Sequence, residues 1–144
     1  MVCGKRFRRK AIEPLFENVK PVLEILHQDG WNLGIATNKS LRGLSRGLQH
    51  HKIERFFSII MTTDNFTPKP NKAMAMHALK TLQVKNSDAF MIGDTIHDIK
   101  MGKNAIINTI GVTWGYNTKE ELQQSKADYI INDLNELVKI LREH

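Results

Sequence analysis

The chain has 144 residues, 41% of them hydrophobic and 25% charged, which is ordinary for a soluble globular domain and enough for one substantial core. No apolar run approaches the roughly 18 residues that cross a bilayer, no apolar signal core opens the chain, and Cys3 has no partner for an internal disulfide, so the expected location is the cytoplasm. The net charge of +6 comes largely from Lys5, Arg6, Arg8, Arg9 and Lys10, because the rest carries 16 basic against 15 acidic residues; without an aromatic platform beside that cluster, a nucleic-acid-binding module is not indicated.

Helical spacing of Val19, Val22, Leu23, Ile25 and Leu26 predicts a helix over 19–29, with Pro21 tolerable in its first turn and Gly30 as a stop. Trp31 to Thr37 reads as a buried strand, and Ser40 to His50 as a helix with Leu41, Leu44 and Leu48 on one stripe. Phe56 to Met61 is a second strand, Asn71 to Leu82 a helix, and Ala89 to Ile92 a third strand followed by a short helix. Strands at Ile106 to Val112 and Tyr129 to Ile131 alternate with helices near 118–125 and 133–143. Such alternation predicts an α/β domain, a Rossmann-like mostly parallel sheet covered on both faces in three layers. Residues 1–14 form a basic N-terminal segment and 15–144 one core domain.

Residues 90–98 read Phe-Met-Ile-Gly-Asp-Thr-Ile-His-Asp. Asp94 falls at the tip of a turn after a buried strand, and Asp98 follows four residues later. Two carboxylates at i and i+4 on one helix face can converge on a hard cation such as magnesium. Thr37 ends another apolar run, and Lys69 stands between Pro68 and Pro70. In a parallel sheet these residues gather outside the carboxyl ends of the strands, where ligands bind. Each has a plainer reading: Thr37 as a helix cap, Lys69 as a solvated charge, the acids as a cap and a surface group. Met74, Met76 and Leu79 read as core packing. His50, His51, His77 and His97 lack a metal-ligand spacing.

The stretches Gly34-Ile-Ala-Thr-Asn-Lys39, Pro68-Lys-Pro70, Ile92-Gly-Asp-Thr-Ile-His-Asp98 and Thr109-Ile-Gly-Val-Thr-Trp-Gly-Tyr116, in this order, resemble the haloacid dehalogenase superfamily, and within it the phosphoglycolate phosphatase-like branch. The resemblance implies a magnesium-dependent hydrolase of a small phosphorylated metabolite. Thr37 and the backbone N–H of Asn38 would bind the phosphoryl oxygens, Lys69 would neutralise nucleophile and phosphate, and Asp94 would ligate magnesium. Asp98 would complete the outer shell of the metal or orient Lys69.

Family members open with a central strand ending in an Asp-x-Asp pair, one acid attacking phosphorus and the other serving as acid–base. No Asp-x-Asp occurs here, and the carboxylates before Thr37 are Glu13, Glu17, Glu24 and Asp29. Against the family pattern, residues 5–18 resemble the end of the mobile cap, and Ile106 stands where a glycine is expected. The expectation is therefore an N-terminally truncated core that lacks the central strand and most of the cap. It would bind magnesium weakly, be unable to catalyse alone, and tend to self-associate through the open slot in its sheet. A non-catalytic remnant and one half of a split phosphatase are the competing readings.

Overall fold

The computed structural model of the protein describes residues 2–4 and 19–144. Strands β1 (Val2–Gly4), β2 (Leu33–Ala36), β3 (Phe57–Met61), β4 (Phe90–Gly93), β5 (Asn108–Val112) and β6 (Tyr129–Ile131) form one sheet in the order β3-β2-β1-β4-β5-β6. Every neighbouring pair is parallel. Between the strands run α1 (Val19–Gln28), α2 (Leu41–His51), α3 (Ala73–Leu82), α4 (Ile96–Asn104), α5 (Lys119–Gln124) and α6 (Leu134–Glu143).

Strand alternation divides the interior in two. Leu33 and Ile35 of β2, with Phe90 and Ile92 of β4, meet α1, α2 and α6 through Val22, Leu26, Leu44, Leu48, Leu137 and Leu141. Ala36, next after Ile35, and Met91, between Phe90 and Ile92, face the other way and pack with Met74, Ala75 and Ala78 of α3 and Met101 of α4. One layer is built from branched aliphatics and aromatics, the other mainly from methionine and alanine with Leu79 and Ile107. Both faces of the sheet are dry, which is why its strands read as continuous apolar runs. Met76 departs from the core expectation: it lies on the solvent side of α3, 43% exposed.

The centre of the sheet corrects the expectation of an absent strand. Val2 aligns with Leu33 and Phe90, Cys3 with Gly34 and Met91, and Gly4 with Ile35. Buried edges of β2 and β4 would otherwise leave unpaired donors and acceptors inside the protein, and three residues of the N-terminal segment satisfy them. A three-residue strand has too little sequence for periodicity to register. The two edges on which expected self-association rested are thus paired along Val2–Gly4. The basic cluster Lys5 to Lys10, together with Glu13 and Glu17, lies outside the described residues.

β5 begins at Asn108 rather than Ile106. Ile106 sits at φ +57° and is 78% exposed, because it makes the left-handed turn after α4, its N–H donating to the Lys103 carbonyl at 3.1 Å. Among the described residues, no helix is long and apolar enough to cross a membrane.

Candidate functional site

Thr37, Lys69, Asp94 and the loop after β5 all lie at the carboxyl edge of the sheet. Thr37 continues the β2 ladder, its N–H donating to the Met61 carbonyl at 3.1 Å. Its Oγ1 accepts the Lys39 N–H at 3.1 Å, and the residue is fully buried. Asn38 grips the backbone of Lys69 at both ends: its Oδ1 accepts the Lys69 N–H at 2.9 Å and its Nδ2 donates to the Lys69 carbonyl at 3.4 Å. The Lys69 ammonium, in a residue only 6% exposed, donates to the Ala36 carbonyl at 3.1 Å and to Asp98 Oδ1. A lysine so placed is no solvated loop charge. A carbonyl of β2, the Asn38 side-chain amide and a buried carboxylate all hold it.

Asp94 and Asp98 do not share a helix face. Asp94 sits in the turn, Thr95 is the N-cap of α4, and Asp98 is its third residue. Thr95 Oγ1 accepts the Asp98 N–H at 3.2 Å, while Asp98 Oδ2 accepts the Thr95 N–H at 3.1 Å and its hydroxyl at 2.9 Å. This is a capping box. Both Asp98 oxygens are therefore engaged, one by Lys69 and one by Thr95. Gly93 makes room for this: a Cβ there would stand 2.2 Å from Asp98 Cγ.

Asp94, 3% exposed, is held by the loop after β5. The Tyr116 N–H donates to its Oδ2 at 2.9 Å, the Asn117 N–H to its carbonyl at 3.0 Å, and Asn117 Oδ1 accepts the Ile96 N–H at 2.9 Å. Thr95, Tyr116 and Asn117 had no assigned task in the sequence. The Thr95-x-x-Asp98 spacing is itself a capping-box signal; for Asn117 the sequence offers only a polar residue beside a helix start.

Asn38, Lys69, Thr95, Ile96, His97, Tyr116 and Asn117 line a cavity of about 410 Å³, within the range of small-molecule sites. Among the described residues no group of three His, Cys, Asp or Glu could cage a metal. Magnesium needs no such cage, since it keeps several waters and takes one or two carboxylates plus substrate phosphates. Asp94 does not itself line the cavity, but it lies directly behind the lining residues Thr95 and Tyr116, and one such buried carboxylate would fit that donor set.

The chain is similar to known hydrolases along most of its length. Residues 4–112 match the model of the haloacid dehalogenase-like hydrolases. Pyrophosphatase PpaX of Bacillus mycoides is 30% identical over 98% of this chain and 67% of its own length. A phosphoglycolate phosphatase of Vibrio parahaemolyticus is 34% identical over 88% of this chain and 56% of its own. The crystal structure of a predicted phosphoglycolate phosphatase from Haemophilus somnus superposes with a TM-score of 0.83 at 29% identity, over 88% of this chain and 57% of that one. The chain thus spans 56% to 67% of the length of these relatives.

Proposed function

Given that the chain belongs to the haloacid dehalogenase-like hydrolases, we propose that it is the phosphate- and cation-holding part of a magnesium-dependent phosphomonoester hydrolase of phosphoglycolate phosphatase type. The attacking carboxylate comes from a segment outside these 144 residues. The observation that carries this reading is the buried Lys69–Asp98 pair (side chains 3% exposed each), with Lys69 lining the cavity and Asp94 behind its lining residues Thr95 and Tyr116. Next to it, the sequence after Gly4 contains no acid before Glu13.

Lys69 directs two of its three N–H bonds to Ala36 and Asp98; the third serves a phosphoryl oxygen. Asn38, by fixing the Lys69 backbone, sets where that donor points, and its own N–H is a second donor to the phosphoryl group. The Thr37 hydroxyl accepts from Lys39 and keeps its hydrogen for a phosphoryl oxygen. Asp94 holds magnesium, which when bound supplies further charge neutralisation at the phosphate. Asp98 acts through Lys69, outside the inner ligand shell. These are positioning and electrostatic tasks, the larger share of catalysis in phosphoryl transfer. Without a nucleophile they bind phosphate and leave it intact.

The test is turnover of phosphoglycolate, pyrophosphate and a panel of phosphomonoesters with magnesium, by the chain alone and with an Asp-x-Asp-bearing segment supplied in cis or in trans. The chain alone should show no specific activity, and the added segment should restore activity that Lys69→Ala abolishes. Turnover by the chain alone at about 1 s⁻¹ or faster, abolished by Asp94→Ala, would contradict the reading and point to Glu13 or Glu17 as a recruited base or nucleophile.

A further inference from the structure

Asn117 ends the loop that β5 sends across the carboxyl edge of the sheet, and for a loop amide it is unusually enclosed, at 7% exposure. Its N–H donates to the Asp94 carbonyl at 3.0 Å, and its Oδ1 accepts the Ile96 N–H at 2.9 Å. These two bonds seize the peptide units on either side of Thr95, immediately after Asp94. One residue earlier, the Tyr116 N–H donates to Asp94 Oδ2 at 2.9 Å and so sets the rotation of the carboxylate. Gly115 lets the loop lie flush against the acid, since a Cβ there would stand 2.1 Å from Asp94 Cβ.

Helix capping alone does not account for this arrangement. The Thr95–Asp98 box already starts α4, and the first amide of a helix can be satisfied by water. What the Asn117 side chain adds is a fixed path for the backbone that carries Asp94. We propose that Asn117 is a positioning residue for the Asp94 carboxylate, holding it in the orientation that a cation bound to it requires. The inference rests on the reading of Asp94 as a magnesium ligand. Magnesium demands near-ideal octahedral geometry at about 2.0–2.1 Å, so a carboxylate that must first be ordered binds it less well. Groups that orient a ligand from behind typically contribute about 10- to 100-fold in metal affinity.

The experiment is a magnesium titration of the whole chain, followed through the amide resonances of Gly93, Asp94 and Thr95, with the metal-free melting temperature recorded for each variant. Wild type should bind weakly in a manner that D94A abolishes. N117A should weaken binding about 10- to 100-fold, and N117D, which keeps an acceptor oxygen for Ile96, should return to wild-type affinity or better. If N117A does not fold, N117S, whose shorter hydroxyl falls short of Ile96, takes its place in the comparison. Folded N117A or N117S binding magnesium as wild type does would overturn the positioning role while leaving Asp94 a ligand. Wild-type binding that survives D94A would overturn both. A residue that serves folding alone would move the melting temperature and leave the affinity of the folded variant unchanged.

Discussion

Asp94 in its turn and Asp98 in the first turn of α4 are four residues apart in the chain and carry the same functional group, yet their surroundings differ sharply. Asp98 is closed upon its own protein: one oxygen meets Lys69 and the other Thr95, in a site nearly free of solvent. Asp94 instead accepts two backbone N–H groups of a loop from a different strand, Tyr116 on its carboxylate and Asn117 on its carbonyl. A carboxylate balanced by a buried ammonium is part of the scaffold. One met by backbone N–H donors, behind the residues that line the cavity, is the one proposed to hold a cation. Equal spacing in the sequence therefore did not mean equal function. The donors already committed to each oxygen decide it.

The largest effect should come from breaking the closed region. Lys69→Met or Asp98→Asn leaves one buried group without its partner and should cost about 3–5 kcal/mol in denaturant unfolding. Removing both at once should recover most of that loss, since a buried pair is close to neutral against apolar replacement. A double variant as unstable as the sum of the singles would show that the pair contributes net stability. Asp94→Asn should be mild by contrast, within about 1 kcal/mol of wild type, because an amide oxygen still accepts the Tyr116 N–H. A loss as large as that of Asp98→Asn would erase the distinction between the two regions.

The opposite end of α4 provides a control remote from both acids. Ile106, a β-branched residue at φ +57° with its side chain in solvent, is strained, and Ile106→Gly should stabilise the protein by about 1 kcal/mol with no change in magnesium affinity. The smallest effect belongs to a surface clasp. Asp128 Oδ2 accepts the Thr109 N–H and hydroxyl, and Oδ1 accepts from Lys103. Burial would raise the Asp128 pKa, but hydrogen bonds from Thr109 and Lys103 and the Lys103 charge hold it below the ordinary carboxylate value. A depressed pKa contributes stability above the unfolded value and loses it as pH falls through the folded one. Asp128→Asn should therefore flatten the acid limb of stability below about pH 4, by no more than about 1 kcal/mol once solvent screening is counted.

Much of this was legible from local chemistry. The strands at Leu33, Phe57, Phe90 and Asn108 announced themselves as buried apolar runs, and the helices between them by periodicity, so the parallel sheet and the placing of Thr37, Lys69 and Asp94 at its carboxyl edge followed. Three things escaped. Val2–Gly4 is too short to carry a pattern, and only the pairing demand of two buried neighbours reveals it. Asp98 reads in the sequence as orienting Lys69 or completing the outer shell of a metal, but its second bond, to Thr95, was missed because the visible capping spacing was outweighed by the attraction of paired acids. Asn117 is brought to Asp94 by a crossover of 22 residues, and no local signal reports such a contact. Ile106 shows the reverse case: propensity favoured a strand, and the turn after α4 prevailed at the expense of backbone strain.

The most direct measurement sets the two acids side by side in magnesium titrations of D94N and of the neutralised double variant K69M/D98N. The account predicts that D94N loses magnesium binding, while K69M/D98N keeps it or binds more tightly for want of the nearby ammonium. Equal loss in both proteins would mean that the two carboxylates share the cation, and would contradict the division of labour between the turn and the helix.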